Sequence, residues 1–585
     1  MHSQPNPVSP NYFSLGALLA FGRLHISPYA ILFVLSAALL LPIWLIGLPV
    51  SGHDALAHVR WQQDFAQQLW NGEFYPRWLP GLNGGLGSPA FFIYPPLPHY
   101  LAAVLAPLSD GHGWAQHRLG ILAALGFYAS GAGAYLWLMQ VTRDRTSALL
   151  GAIVFMVAPY HLFIDTYYRS AYAELWAFTW APFSLWAIHQ FERRPARAVA
   201  VFTLSSAALF LSHAPSCIAL PPLYLAYAAV LALHAKKKSI LLWTCAASAA
   251  AIAIAGAYLA TALTHQHFIN GSALYAGYFD FFRWLLLAGQ RWPRPGAEIG
   301  IAGISVVQCG ALFVLGWLLL RARDVNPTHR ALVRLSMAGS LAILFLMTRL
   351  SAPVWVLLPI AQKIQFPWRL LTTQCVLLAL VAALYVQWVR NRAAGSARTR
   401  RQRLLLPVFV ALAAVNIALM FVLKPIFSDT PKPGSIDVPE YQMGDPLVAK
   451  TLFPDNGKVR LLSGQGAQGA QGVRLEQITP RHMRLHLDGA GEARLLVRHF
   501  FYPGWECARG ARSACTVQKF NAKTPVLSVI AGRGSGPVDL ILAKSRIERI
   551  GEQIAMAGLA LMALLCLGTM LWRKSSATME QEGPA

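Results

Sequence analysis

Apolar runs of about 20 residues, separated by short basic clusters, recur along most of this chain and limit its fold more than any other feature. Each run has the length that a helix needs to cross a hydrocarbon core of about 30 Å. The composition agrees, because 56% of the 585 residues are hydrophobic and only 13% are charged, against about 25% charged in a typical soluble domain. The sequence therefore predicts an α-helical polytopic membrane protein.

The net charge of +24 does not indicate nucleic-acid binding, because the basic residues lie in clusters between the apolar runs. Lys and Arg in short loops tend to stay in the cytoplasm, so such clusters orient the helices. The clusters are Arg143 and Arg145; Arg193, Arg194 and Arg197; Lys236 to Lys238; Arg321 and Arg323; Arg390 to Arg403; and Arg573 and Lys574. With a cytoplasmic N-terminus, every one of them falls on the cytoplasmic side.

Helices placed between these clusters give about 12 spans. The predicted spans are 28–48, 118–140, 146–163, 174–191, 198–213, 215–234, 239–262, 299–320, 331–348, 368–389, 404–424 and 553–572. Residues 98–108 and 352–362 are apolar but too short to cross, so they are predicted to be re-entrant or interfacial helices.

The chain then divides into five parts. These are a cytoplasmic segment (1–27), a multi-span domain (28–424) with outer loops 49–117, 164–173, 264–298 and 349–367, an outer segment (425–552), a last span (553–572) and a cytoplasmic tail (573–585). The outer segment is rich in Gly and Pro and contains alternating runs such as HMRLHLD, which predict a small β-sandwich or jelly roll. Cys507 and Cys515 lie there on the oxidising side, so they could bridge a hairpin. No Cys/His spacing predicts a metal site.

The first outer loop, SGHDALAHVRW, carries His53, Asp54 and His58 at the start of a predicted helix over 54–69. Asp54, His58, Trp61, Phe65 and Leu69 share one face, which predicts an amphipathic helix lying along the membrane surface. Asp54 has two readings. It is either part of a capping box with Ser51, or an acidic group at the mouth of the bundle.

Other ionisable residues lie near the outer ends of spans, where their burial is costly and points to function. In the second outer loop, Arg169 either pairs with Asp165 or Glu174 as a structural bridge or binds a phosphate group. His213, Lys363 and Arg369 also lie at outer span ends. For Lys363 and Arg369 the alternatives are snorkelling to lipid headgroups and capture of a lipid phosphate.

Five stretches together resemble a bacterial multi-span family known as the 6-pyruvoyl-tetrahydropterin synthase-related membrane proteins, which is similar to YfhO-like proteins. The stretches are GHD…H, FYPRWLPGLNGGLGSPAFFIYPPLPHYL, APYHLFIDTYYRSAYAE, LSHAPS and QFPWRLL, and HFFYPGWECARG resembles the YYPGW strand of the YfhO-like outer domain. The resemblance implies the architecture of a GT-C glycosyltransferase in the bacterial cytoplasmic (inner) membrane. Such enzymes carry an acidic residue in the first outer loop, where Asp54 stands here.

The resemblance also implies a chemistry. A polyprenyl-phosphate-linked sugar would donate its sugar to an extracytoplasmic glycan, lipid or protein acceptor, with Asp54 as general base and His58 as its partner. Arg169 and Arg369 would hold the phosphate, and Arg77 is a weaker candidate for that role. The sequence has no Asp-x-Asp or Glu-x-Asp pair, so a divalent cation stays an open question. The alternative function is a non-catalytic transporter, flippase or assembly factor for lipid-linked envelope glycans.

Overall fold

The computed structural model describes residues 26–49, 54–108, 114–270, 275–287, 292, 297–392, 410–418, 443–453, 457–464, 473–487, 491–509, 515–522, 524–533 and 536–581. A helical bundle is followed by a β-domain and a long last helix. The helices are α1 (Pro28–Leu39), α2 (Leu41–Ile46), α3 (Ala55–Trp70), α4 (Ala90–Ile93), α5 (Leu97–Ala103), α6 (Trp114–Thr142), α7 (Arg145–Val157), a π-helix (Tyr160–Tyr168), α8 (Tyr172–Gln190), α9 (Pro195–Phe210), α10 (Ser216–Ala219), α11 (Pro221–Ala235), α12 (Ser239–Ile254), α13 (Gly256–Thr264), α14 (Ala297–Arg321), α15 (Pro327–Met347), α16 (Ala352–Leu357), α17 (Pro359–Gln362), α18 (Leu371–Asn391), α19 (Pro446–Thr451) and α20 (Arg546–Gln581).

Seven helical segments in the described part of the chain are long and apolar enough to cross a membrane, and the pair α12–α13, bent by 68°, could add an eighth. The chain is thus a multi-pass membrane protein. The seven segments are Trp114–Thr142, Arg145–Tyr168, Ser216–Ala235, Ala297–Arg321, Pro327–Met347, Pro367–Asn391 and Arg546–Met570. The predicted first span is broken at Leu40, and most of the predicted span 404–424 lies outside the described residues. The count of about 12 spans and their orientation stay predictions.

The helix α18 lies at the centre of the bundle, and its neighbours are α7, α14 and α15. Its residues from Leu371 to Val386 are buried on all sides, as expected of a helix that is hydrophobic all round. The segment that precedes it, Pro367–Leu370, forms a 3-10 turn that carries Arg369. Arg369 is therefore held at the N-terminal end of α18, where the preceding loop enters the centre of the bundle.

The last helix α20 packs along α9, α12 and α13. Small residues allow the close approach: a Cβ added at Gly551 would lie 2.8 Å from the carbonyl oxygen of Gly256. Helices inside membranes commonly meet at small residues in this way. The contact fixes the end of the β-domain to the bend between α12 and α13.

The β-domain contains two four-stranded antiparallel sheets, ordered β1-β4-β7-β6 and β2-β3-β8-β5. The strands are β1 (Val459–Gly464), β2 (Val473–Thr479), β3 (His482–Leu487), β4 (Ala493–Phe500), β5 (Trp505–Arg509), β6 (Cys515–Lys519), β7 (Val526–Ala531) and β8 (Val538–Leu542). Residues of both sheets form one apolar core, with Leu485 and Leu540 from one sheet and Leu495 and Val529 from the other. The domain is a β-sandwich. Among the described strands, the first and the last lie in different sheets, whereas they are neighbours in a jelly roll.

A disulfide joins Cys507 of β5 to Cys515 of β6. The two strands lie in different sheets, so the bond links the two layers. The spacing had indicated a bridge within a hairpin, but β5 and β6 do not pair with each other. Eight residues are enough to turn the chain over the edge of the sandwich. The bond therefore closes one edge between the layers.

The irregular segment between α3 and α5 packs against this sandwich. Arg498 donates to the carbonyl oxygen of Gly84 at 2.8 Å, and the backbone N–H of Phe500 donates to Leu86 at 2.7 Å. The ring of Trp78 stacks on His499 with centroids 4.7 Å apart. The first outer loop is thus buried between the bundle and the β-domain, which satisfies its non-helical backbone.

Candidate functional site

Three carboxylates from separate elements converge on the guanidinium group of Arg169. Its Nη1 lies 2.6 Å from Glu174 Oε2 and 3.1 Å from Asp165 Oδ1, and its Nη2 lies 3.2 Å from Asp54 Oδ2. Asp165 belongs to the π-helix, Glu174 to the first turn of α8, and Asp54 precedes α3. Because both terminal nitrogens already meet carboxylates, the geometry fits the structural bridge better than the phosphate-binding alternative.

The π-helix explains how Asp165 and Arg169 reach this point. Within it the Arg169 N–H donates to Ile164 across five residues, so the turn holds one residue more than an α-helical turn. The next residue, Ser170, has φ of +50°, in the left-handed region that non-glycine residues rarely adopt. Backbone strain of this kind is concentrated at functional sites.

Glu174 is the second centre of the network. Its Oε1 accepts hydrogen bonds from Tyr160 at 2.9 Å and from Thr372 at 2.8 Å, and its Oε2 lies 3.6 Å from Arg369 Nε. The imidazole of His213 is 3.8 Å from the same oxygen. Tyr160 and Thr372 were missed in the sequence, although Thr372 follows Arg369 by three residues in QFPWRLLTT and so lies one turn away.

Asp54 is the N-cap residue of α3, but its side chain makes no capping hydrogen bond. Its carboxylate turns to Arg169 instead, and 36% of the side chain stays exposed, whereas Asp165 and Glu174 are fully buried. The Asp54 side chain therefore does not cap α3, and the predicted capping box with Ser51 stays a prediction. Its partner Ser51, like the predicted site residue His53, lies outside the described residues.

A cavity of about 690 Å³ opens beside this network. Its charged and polar lining includes Asp54, His58, Arg169, Glu174, His213, Gln266, Lys363, Gln365 and Arg369. Its remaining wall is apolar or aromatic, with Phe210, Pro215, Ile218, Leu259, Leu263 and Ile360 among its members. The cavity thus combines one exposed carboxylate, two cationic side chains outside the Arg169 bridge and a hydrophobic surface.

The two cations are held by their surroundings. Arg369 donates to the carbonyl oxygen of Ile364 at 3.0 Å and to Gln365 at 2.8 Å, and Gln365 has φ of +65°. Lys363 lies over the ring of Tyr275 at 3.7 Å and donates to Gln266 at 3.4 Å. An ammonium group has three hydrogens to donate, so Lys363 keeps capacity for an anion.

The helix α3 confirms the predicted periodicity but not the predicted surroundings. Trp61 and Phe65 are buried and pack on aromatic rings of the following segment, including Phe91 and Tyr94. The face was predicted to lie on the membrane surface. It is covered instead by the loop that follows it in sequence.

His58 lies on the same face, with its Nδ1 3.2 Å from Nε2 of His99. Burial lowers the pKa of His58 to about 4, although the Asp54 carboxylate opposes this shift. His58 is therefore neutral near pH 7. His99 was missed in the sequence because HYL at the start of an apolar run gave no signal of its own.

Arg77 does not line the cavity. It is buried, its Nε lies 3.2 Å from Glu548 of α20, and its terminal nitrogens donate to Thr261 and to the carbonyl oxygen of Ala257. Arg481 of the β2–β3 turn shares the same Glu548 carboxylate at 2.8 Å. Arg77 therefore joins the first outer loop to α13, α20 and the β-domain, and the predicted phosphate-binding role does not fit its position.

Within the described residues, no group of three or more His, Cys, Asp or Glu side chains is arranged to hold a metal ion. The carboxylates that come closest to forming such a group instead surround the guanidinium cation of Arg169. Asp54, Asp165 and Glu174 thus share one cation, Arg169.

No protein-family model matches the chain, and no curated protein matches it, so the pterin-synthase-related name has no support from these comparisons. Among solved structures, the chain is similar to the arabinofuranosyltransferase AftD from Mycobacteria (17% identity, TM-score 0.42, 70% of this chain and 27% of that one). It is also similar to the oligosaccharyltransferase AglB from Archaeoglobus fulgidus, in complex with an inhibitory peptide and a dolichol-phosphate (14% identity, TM-score 0.40, 69% of this chain and 56% of that one).

A third similar structure is ArnT from Cupriavidus metallidurans bound to undecaprenyl phosphate (11% identity, TM-score 0.29, 61% of this chain and 77% of that one). The chain spans about a quarter of AftD and about half of AglB. Likenesses at this level assign neither a fold nor an activity to this chain, and its function has to be argued from the geometry of the cavity.

Proposed function

We propose that the chain is a membrane glycosyltransferase of GT-C type, which transfers a sugar from a polyprenyl-phosphate donor to an extracytoplasmic glycan, lipid or protein acceptor. One observation carries this proposal. A single cavity combines the partly exposed carboxylate of Asp54, the cations Lys363 and Arg369, and an apolar wall. These are the three surfaces that a hydroxyl acceptor, a phosphate and a lipid chain require.

Asp54 is the proposed general base. It would accept the proton of the acceptor hydroxyl as that oxygen attacks the anomeric carbon, a contribution of typically 10²- to 10⁴-fold. Arg169 holds the carboxylate in place at 3.2 Å. The same guanidinium is shared with Asp165 and Glu174.

Lys363 and Arg369 are proposed to hold the phosphate leaving group. Negative charge grows on the phosphate as the sugar departs, and fixed cations in a partly dry cavity stabilise that charge. Arg169, for which phosphate binding was also considered, is assigned instead to positioning Asp54. The apolar wall near Leu259, Leu263 and Ile360 would take the adjoining part of the lipid chain.

The test is sugar transfer in proteoliposomes that contain the purified protein and radiolabelled polyprenyl-phosphate monosaccharides. We expect Asp54→Asn to lower the transfer rate by about 100-fold or more. The matched control is Asp64→Asn, since Asp64 lies on the same helix but its carboxylate accepts from the Gly81 N–H outside the cavity. Full transfer by Asp54→Asn would remove Asp54 from the mechanism.

The same vesicles distinguish the transporter alternative. Movement of the lipid-linked sugar across the bilayer, without transfer and unaffected by Asp54→Asn, would replace the glycosyltransferase proposal with a flippase.

A further inference from the structure

Two buried histidines lie one behind the other at the wall of the cavity, and the second has a buried glutamine partner. His58 lines the cavity, His99 Nε2 lies 3.2 Å from His58 Nδ1, and His99 Nδ1 lies 2.9 Å from Gln62 Oε1. All three side chains are at most 2% exposed. The chain of contacts runs from the cavity into the protein and ends on Gln62.

The spacing of two residues on α3 makes this series of contacts possible. His58 and Gln62 are four residues apart on the helix, so they lie one above the other on one face. His99, from α5, inserts its ring between them and reaches both with its two nitrogens. No water molecule is needed to connect the three groups.

The contacts determine the tautomers. A neutral imidazole has one N–H donor and one acceptor nitrogen, and the partner of one nitrogen decides the state of the other. Because Gln62 Oε1 can only accept, His99 carries its hydrogen on Nδ1. His99 Nε2 is then an acceptor, so His58 carries its hydrogen on Nδ1 and leaves Nε2 unprotonated.

We propose that Gln62 and His99 are positioning residues that fix His58 as a hydrogen-bond acceptor, so that its Nε2 receives a hydroxyl group of the substrate in the cavity. The opposite tautomer would present an N–H, which repels a donor group and attracts carbonyl or phosphate oxygens. The arrangement of Gln62, His99 and His58 therefore selects substrates with a hydroxyl group at this wall of the cavity. Asp54 stays the proposed base, and His58 is assigned to a substrate hydroxyl other than the reacting one.

The surroundings keep the pair neutral. Both rings are buried, and a charged imidazolium would lose its hydration there. The charged and titratable groups that face His58 are Asp54 on its own helix, Arg169 after the π-helix, His99 on α5, Tyr94 after α4 and Tyr172 on α8. The single full negative charge among them, on Asp54, is itself paired with Arg169.

The tautomer can be read directly by ¹⁵N NMR of the full chain labelled at histidine, since protonated and unprotonated ring nitrogens differ widely in chemical shift. The His58 signals are assigned by their loss in His58→Asn. We expect Nδ1 protonated and Nε2 unprotonated at pH 7. A protonated His58 Nε2 in the native protein would overturn the proposal.

Gln62→Leu removes the acceptor at nearly constant volume, so we expect both His58 tautomers to appear. The matched control is Gln68→Leu, on the same helix, because Gln68 is also buried but does not contact the histidine pair. Should Gln62→Leu fail to fold, Gln62→Glu keeps an accepting oxygen and should keep the native tautomer. An unchanged His58 spectrum in folded Gln62→Leu would contradict the proposal.

The substrate part of this inference rests on the proposed function. In the transfer assay we expect Gln62→Leu to raise KM for the hydroxyl acceptor by about threefold to tenfold, the value of one lost hydrogen bond, with kcat changed less. A change in kcat alone would argue against hydroxyl binding. If the native protein transfers no sugar but His58 keeps the tautomer, the glycosyltransferase proposal fails and the tautomer assignment stands.

Discussion

A single guanidinium group with three carboxylates around it cannot neutralise them all, and this imbalance sets the character of the site. Asp165 and Glu174 are buried, whereas Asp54 is partly exposed. Of the three, Asp54 is therefore the one that water or a substrate can reach. Arg369, 3.6 Å from Glu174, adds a second cation and brings the local charge closer to zero.

Glu174 should be the residue on which the network depends most. Glu174→Gln would leave Arg169 and Arg369 buried with one carboxylate fewer, and the loss of one partner from a buried ion pair costs about 3–5 kcal/mol. We expect a clear fall in the midpoint of thermal unfolding in detergent. Glu192→Gln is the control, because Glu192 pairs with the exposed Lys237 and such pairs contribute about 0–1 kcal/mol. Equal effects of the two variants would contradict this account.

The sequence predicted part of this network and missed the rest for a physical reason. Asp165, Arg169 and Glu174 lie within ten residues of one another, so their pairing followed from local spacing. Asp54 is 115 residues from Arg169, and Thr372 is 198 residues from Glu174. Such contacts are made by the packing of helices, which no local pattern in one sequence encodes.

At the scale of elements, the structure of the irregular segment after α3 was likewise predictable only in part. Its many glycines and prolines are typical of a non-helical loop, and the periodicity of α3 predicted that helix within one residue. The cover itself was not predictable, because the residues that provide it, such as Phe500 and Arg498, lie about 400 residues later. The sequence consequently placed the face of α3 on the membrane when it is buried in protein.

Gly87 tests this packing. Its φ is +83°, and a Cβ there would overlap the ring of Trp78 that stacks on His499. Gly72 has a similar φ of +94° with open space around it, so Gly72→Ala measures the backbone strain alone. We expect Gly87→Ala to destabilise the protein by about 1–3 kcal/mol more than Gly72→Ala, which is the range for overpacking. Thermal unfolding measures the difference, and equal effects would mean that the loop adapts.

His499 makes the same contact sensitive to acid. Burial lowers its pKa to about 4, against about 6.5 in the unfolded chain. Between these values the unfolded state binds the additional proton, so stability falls as the pH drops from 6.5 to 4, by about 3 kcal/mol at most. In His499→Phe this part of the acid sensitivity should vanish. Unfolding midpoints from pH 4 to 7 measure it, and parallel curves for the two proteins would disprove it.

At the scale of the whole molecule, one buried carboxylate ties three parts together. Glu548 in the first turn of α20 meets Arg77 from the first outer loop and Arg481 from the sandwich. Three parts that lie far apart in sequence are thereby joined through one carboxylate. This link helps to hold the sandwich against the bundle, whereas the disulfide joins two strands of the sandwich itself.

A double-mutant cycle on Arg77→Met and Glu548→Gln should show strong coupling. Arg77→Met leaves Glu548 with Arg481 as its remaining partner, whereas Glu548→Gln leaves the buried Arg77 charge without its carboxylate. The double change removes that unpaired charge, so the interaction energy should fall in the range of about 0.5–3 kcal/mol. The control cycle uses Lys544 and Glu552, an exposed pair at the start of the same helix, where about 1 kcal/mol or less is expected. Additive effects at Arg77 and Glu548 would show that they act independently.

The π-helix has a consequence for how this chain tolerates change in length. Deleting one residue between Tyr160 and Tyr168 would move each following residue back by one helical position, which is a rotation of about 100° on a regular helix. Arg169 would then turn away from Asp54 and Glu174 together. Substitutions inside this segment alter one contact at a time, but a single deletion would disperse the whole site, so its residue count is constrained more tightly than its composition.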